Sequence, residues 1–159
     1  MIIYFSATGN TEYIARELAK RLDDECVNLL ERFQKQDFTV LHSQKPFIVC
    51  APVYVCEMPR FMSKYLKRQT FSGSKDVYCI FTSGGYCGIS GQHAKWLFQK
   101  KEMTYHGHAV PRISIVRINA SAVANAPSYA HSIILKSRIK SLSGVIVVPT
   151  VWHVLATVR

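Results

Sequence analysis

Apolar and polar positions along the chain alternate between two kinds of run. Residues 1–5 (MIIYF) form an unbroken apolar block rich in β-branched and aromatic side chains, the pattern of a strand buried on both faces. From Asn10 or Thr11, either of which can cap a helix, the spacing becomes helical and runs to about Leu22. Ile14, Ala15, Leu18, Ala19 and Leu22 share one face there, with Arg16, Glu17, Lys20 and Arg21 opposite. Residues 25–30 read as a second strand. Residues 45–51 (KPFIVCA) read as a third, stopped by Pro52. Residues 59–69 read as a helix with Pro59 in its first turn, where a missing N–H costs nothing. Residues 76–81 (DVYCIF) predict a fourth strand and residues 92–101 a helix with Trp96 and Leu97 toward the core. This βαβ alternation predicts an open parallel sheet with helices on both faces. Beyond Met103, residues 103–109 and 112–118 read as one interrupted edge strand or two. Residues 128–142 read as a helix capped by Ser128, and residues 145–151 as a further strand.

Bulk properties narrow the class. A chain of 159 residues is the size of one domain and long enough to bury a core without disulfides or a structural metal. No apolar stretch reaches the roughly 18 residues a membrane helix needs, since residues 145–158 are interrupted by Pro149, Thr150 and His153. No basic segment precedes the first apolar residues, so a secretion signal is not expected and the cytoplasm is. The five cysteines are odd in number and contain no C-x-x-C, against a disulfide framework, a zinc ribbon or an iron–sulfur cluster. Cys26, Cys50 and Cys79 sit in apolar runs, as small hydrophobes do. The net charge of +10 is uneven: all ten acidic residues lie at or before Glu102, and residues 103–159 carry six basic residues and no carboxylate. Those basic residues are scattered among Ser, Ala and Val rather than grouped with aromatics, so DNA or RNA binding is not expected.

Ligands of open α/β sheets bind at the carboxyl ends of the strands, and three segments converge there. The first is Ser6-Ala7-Thr8-Gly9-Asn10-Thr11, which reads either as a capped turn or as a cradle of N–H groups and hydroxyls for a phosphate. Gly9 permits a close backbone approach. With no Gly-Lys-Ser/Thr ending, no G-x-G-x-x-G and no Lys or Arg, the segment suits a terminal monophosphate better than a triphosphate with magnesium. The second is Pro52-Val53-Tyr54, whose tyrosine is a packed surface residue or a shelf for a flat ring. The third is Thr82-Ser83-Gly84-Gly85-Tyr86-Cys87-Gly88. It is a flexible loop, or one whose backbone reaches a heteroaromatic edge with Tyr86 as a second stacking partner. Together the three describe a site for a phosphorylated flat ring.

Residues 1–11 (MIIYFSATGNT) resemble the phosphate loop of flavodoxins, T/S-x-T-G-x-T. With CAPVYVCEMPRFMSKYL and CIFTSGGYCGISG, the chain is more closely similar to the flavodoxin half of a bacterial family that joins flavodoxin and ferredoxin-type domains. The resemblance covers residues 1–109. It implies a flavodoxin-like α/β fold: an open parallel five-stranded sheet, order 2-1-3-4-5, helices on both faces, and bound FMN. Ser6, Ala7, Thr8, Gly9, Asn10 and Thr11 would then hold the ribityl phosphate. Pro52, Val53 and Tyr54 would place the stacking ring, and Thr82, Ser83, Gly84, Gly85 and Tyr86 would line the flavin. No catalytic side chain is implied, so an electron carrier is expected before a substrate-converting enzyme. Its partner would be a redox protein such as a ferredoxin-type domain. The cysteine-rich runs of that family's second half are absent from this sequence, and residues 110–159 depart from its course. On the same fold, a flavin-dependent NAD(P)H reductase, or an interaction module without flavin, remains open.

Other signals carry less. Cys26 and Arg32 have the C-x5-R spacing of cysteine phosphatases, but the residues between are bulky and include Glu31. His106 and His108 are spaced to share one face of a strand, as a metal pair would, yet no third ligand lies nearby. No G-x-S-x-G places a nucleophilic serine.

Overall fold

A computed structural model describes residues 1–84 and 86–111. Gly85, the strands expected at 112–118 and 145–151, and the helix expected at 128–142 lie outside the described residues. In chain order the elements are β1 (Ile2–Tyr4), α1 (Asn10–Leu22), β2 (Cys26–Asn28), α2 (Leu29–Gln34), β3 (Leu41–Ser43), β4 (Phe47–Pro52), α3 (Arg60–Arg68), β5 (Phe71–Gly73), β6 (Asp76–Thr82), α4 (Ser90–Gln99) and β7 (Thr104–Ala109). Five strands pair in parallel in the order β2-β1-β4-β6-β7. Counting only those five, the order is 2-1-3-4-5, as the sequence implied. It reverses between β1 and β4, and the crevice above that pair is where this architecture binds ligands.

The strands read as apolar runs because both faces are buried. On one side Ile3, Phe5, Phe47, Val49, Val77 and Phe81 pack with Met62, Tyr65 and Leu66 of α3 and Ala94, Leu97 and Phe98 of α4. On the other, Ile2, Tyr4, Ile48, Cys50, Tyr78 and Ile80 pack with Ala15, Leu18 and Ala19 of α1. Among the described residues no helix is long and apolar enough to cross a membrane.

Four local expectations need correction. Trp96 does not turn toward the core: it is 54% exposed, and of the pair only Leu97 is buried. The strand at 25–30 is only Cys26–Asn28, because the Asn28 side chain accepts the Leu30 N–H and starts α2. Neither Asn10 nor Thr11 caps α1: the cap is Gly9, in the left-handed region at φ +87°. Finally, His106 and His108 do not share a face. Val77 pairs with Tyr105 but Cys79 pairs with His108, so β7 carries one extra residue, with Gly107 at φ +121°. This bulge turns His106 onto Tyr78 and His108 onto Phe81, on opposite sides of the sheet. Two three-residue strands, β3 and β5, form a separate parallel ladder that the sequence pattern does not reveal.

Candidate functional site

At the carboxyl end of β1 the chain turns through Gly9 into α1. The Gly9 N–H donates to Ser6 Oγ at 3.0 Å, and Asn10 Nδ2 to Thr8 Oγ1 at 3.4 Å. The first intrahelical bond runs from the Tyr13 N–H to the Gly9 carbonyl at 2.8 Å. The N–H groups of Asn10, Thr11 and Glu12 therefore have no partner within the helix. A Cβ on Gly9 would meet nothing within 4 Å, so its role is the turn, and open space lies over it. Ala7 and Thr8 are exposed beside that space. The one acid in the first turn, Glu12, accepts from Tyr4 Oη at 3.2 Å and from Arg16 Nε at 2.8 Å, which offsets its charge. A helix N-terminus with its only nearby acid offset in this way suits an anion on electrostatic grounds.

The second loop follows β4. Pro52 is paired with Thr82, and the Val53 N–H donates to the Thr82 carbonyl at 3.0 Å. Tyr54 and Glu57 then exchange backbone hydrogen bonds at 2.8 and 3.1 Å around Val55 (φ +50°) and Cys56 (φ +65°). Positive φ at both central residues defines a type I′ turn, a place where Asn and Gly are usual and a β-branched valine is strained. Val55 is 97% exposed and Tyr54 is 44% exposed. The tip of this loop thus presents a strained turn to solvent with an available tyrosine ring at its base.

The third loop is fastened to the other two. The Cys56 carbonyl accepts the Ile89 N–H at 3.0 Å and Ser90 Oγ at 3.4 Å. Gly88 lies so close that an added Cβ would sit 2.3 Å from the same carbonyl oxygen. Toward the first loop, Thr11 Oγ1 and Thr82 Oγ1 are 2.7 Å apart and buried. These contacts bring residues 6–11, 52–57 and 82–88 to one sheet edge, apart from Gly85, which is outside the described residues. Thr11 and Thr82 form the wall between loops, with their hydroxyls turned on each other. Ala7, Thr8, Tyr54, Gly84 and Tyr86 are the expected residues left exposed, Tyr86 over three quarters of its surface.

Beside the third loop the structure joins residues that sequence spacing kept apart. Cys87 Sγ lies 3.7 Å from His108 Nε2, and His108 Nδ1 lies 3.1 Å from Tyr105 Oη. A Cβ on Gly91 would fall 2.3 Å from His108 Cε1, so only glycine leaves room for the imidazole. Desolvation where the ring packs lowers the His108 pKa from 6.5, and burial raises that of Tyr105, leaving a neutral imidazole and an intact phenol. Burial also raises the thiols of Cys26, Cys50 and Cys79. No sequence signal marks the Cys87–His108 pair, because the β7 bulge that aims His108 is a property of pairing. Among the described residues no group of three or more His, Cys, Asp or Glu could hold a metal.

Among solved structures the chain is similar to the Trp repressor binding protein from Bacillus subtilis, with 14% identity and a TM-score of 0.42 over 91% of this chain and 100% of that one. Among curated proteins none matches. The family model described as Flavodoxin domain matches residues 1–101, which hold β1 through α4 and all three loops of the site. By that match over more than half its length, the chain belongs to the flavodoxin domain family.

Proposed function

We propose that this chain is an FMN-binding domain that carries electrons to and from a partner protein. The observation that supports it best is the convergence of the three loops above the β1/β4 crevice, none of them carrying a Lys or Arg. A phosphate there would be held by Ser6, Thr8 and the N–H groups of Asn10, Thr11 and Glu12. Neutral donors at a helix N-terminus suit a monophosphate. Tyr54 and Tyr86 would flank the isoalloxazine. Bound FMN would supply one- or two-electron transfer, and the chain's own residues would bind it, orient it and exclude water from one face. The redox partner would be a ferredoxin-type domain with an acidic surface, to complement the net charge of +10. The reduced thiols expected of five cysteines fit a cytoplasmic setting.

The test uses two ligands that differ only by the phosphate. Thr8→Ala is expected to weaken FMN about fivefold, the loss of one hydrogen bond of about 1 kcal/mol, and to leave riboflavin unchanged. Flavin fluorescence quenching reads both. Equal losses for the two ligands would move the phosphate elsewhere, and no quenching of FMN by the wild-type protein would end the proposal.

A further inference from the structure

We infer that Cys87 is a reactive thiol, hydrogen-bonded by His108, that a hydroperoxide oxidises and that Cys56 then resolves as a disulfide. The inference is independent of flavin binding. Its basis is the constellation Cys87–His108–Tyr105 together with the position of a second thiol. Cys87 is partly exposed and Cys56 exposed, whereas Cys50 and Cys79 are buried. The residue following Cys87 is packed directly on Cys56: a Cβ at Gly88 would lie 2.3 Å from Cys56 Cβ and 2.6 Å from its Cα. The two thiols therefore belong to neighbouring segments already held together by the Ile89 N–H to Cys56 carbonyl bond of 3.0 Å.

The imidazole is held in one orientation. Gly91 leaves room for it, Phe81 packs at a ring separation of 5.6 Å, and the Tyr105 hydroxyl reaches Nδ1. A protonated phenol donating to Nδ1 leaves the imidazole proton on Nε2, facing the sulfur. The reacting form of a thiol is the thiolate, and an N–H donor beside the sulfur stabilises charge as it redistributes during attack.

The chemistry balances without a metal. The Cys87 thiolate attacks the outer oxygen of a hydroperoxide, ROOH. An S–O bond forms as the O–O bond breaks, and the departing alkoxide takes a proton to become ROH. The sulfur has lost two electrons and the peroxide has gained them, leaving Cys87 as a sulfenic acid. The Cys56 thiolate then attacks that sulfur. An S–S bond forms, the S–O bond breaks, and hydroxide leaves and is protonated to water.

The experiment treats the full chain with hydrogen peroxide, blocks remaining thiols by alkylation and maps the products by mass spectrometry without reduction. A Cys56–Cys87 linked peptide is expected. In Cys56→Ser, a 1,3-dione should trap a sulfenic acid on Cys87. His108→Ala should slow Cys87 oxidation about tenfold, the scale of one lost hydrogen bond to a charged group. His108→Gln, which keeps an N–H donor, should recover part of that loss. Tyr105→Phe keeps the ring in place and should slow Cys87 without altering the alkylation rate of Cys56. Should a variant fold poorly, the order of oxidation within the wild-type chain still decides: Cys87 first, the buried Cys50 and Cys79 last. Oxidation of Cys56 or Cys26 while Cys87 stays reduced, a disulfide excluding Cys87, or an unchanged rate in folded His108→Ala would each overturn the inference.

Discussion

The two edges of the parallel sheet are made of the same elements run in opposite directions, and they solve opposite problems. Helices of βαβ units run back against the strands, so their N–H ends gather at the carboxyl edge and their carbonyl ends at the other. At the carbonyl edge, cations are bound by the fold itself. The Met1 ammonium contacts Asp24 Oδ2 at 2.6 Å, Ser43 Oγ at 3.2 Å and the Pro46 carbonyl at 3.1 Å. Lys45 Nζ donates to the Leu22 and Asp23 carbonyls at the end of α1, and Lys101 Nζ to the Gln69 carbonyl after α3. Arg68, Lys75, Lys100 and Lys101 line a cleft there. At the carboxyl edge the loops carry hydroxyls, glycines and tyrosines but no cation, and open space lies over Gly9 at the start of α1. At one edge Lys45 and Lys101 hold helix ends, and at the other the helix dipole is left to a ligand.

Two glycines test this division most strongly, because each sits at positive φ against backbone of a neighbouring segment. Gly73 (φ +86°) is at the carbonyl edge, with an added Cβ 2.2 Å from the Ser43 oxygen. Gly88 (φ +57°) is at the carboxyl edge, against Cys56. Both Gly→Ala substitutions should lower stability by about 3 kcal/mol, from strain and displaced backbone together. Denaturant melts check this. They should separate on flavin titration: Gly88→Ala weakens FMN more than about tenfold by displacing the Tyr54 loop, while Gly73→Ala leaves the affinity of its folded fraction unchanged.

Polar pairs give smaller effects. Thr11→Val or Thr82→Val strands a buried hydroxyl and should cost about 1–2 kcal/mol each. The double substitution should cost less than their sum, since neither hydroxyl is then left alone. The double variant should also bind FMN more weakly, because the first and third loops lose their tie. At the far edge Asp24→Ala should cost about 2 kcal/mol by removing the partner of the Met1 ammonium, with FMN affinity unaltered. A loss of affinity there would show that the edges are coupled through the sheet.

The contrast also explains what the sequence disclosed. β4 and β6 are six and seven residues, buried on both faces, and their apolar runs are plain in the chain. The first loop was legible because its small and hydroxyl residues directly follow such a run. The ladder of β3 and β5 was not, since Leu41-His42-Ser43 and Phe71-Ser72-Gly73 are too short for any period and pair only in three dimensions. The apolar Leu29 and Leu30 suit strand or helix equally, and the cap supplied by Asn28 decides for helix. Local sequence likewise names Thr11 and Thr82 as hydroxyls without revealing that they meet across 71 residues. The side of β7 on which His108 lies depends on one extra residue in register, which no spacing rule supplies.

That bulge leads to the smallest effect, a pH dependence confined to one side of neutrality. His108 titrates below its ordinary 6.5 in the folded chain because desolvation against its neighbours disfavours the imidazolium. The unfolded chain takes up this proton as pH falls through about 6.5, before the folded chain does. Stability is therefore fully present above that pH, declines as pH falls toward the folded value, and levels off below it. The polar groups in contact with the ring are Cys87 and Tyr105, and desolvation is what shifts it. His108→Gln should flatten the stability profile below about pH 6.5 and leave it unchanged above about 7. Chemical melts of both proteins across that range check it, with the His93–Glu57 and His106–Asp76 pairs common to both and so cancelling. The ring's exposed side keeps the difference small. A steeper fall in the variant would mean that the folded chain favours the imidazolium, with both ring nitrogens protonated and Nδ1 unable to accept from Tyr105.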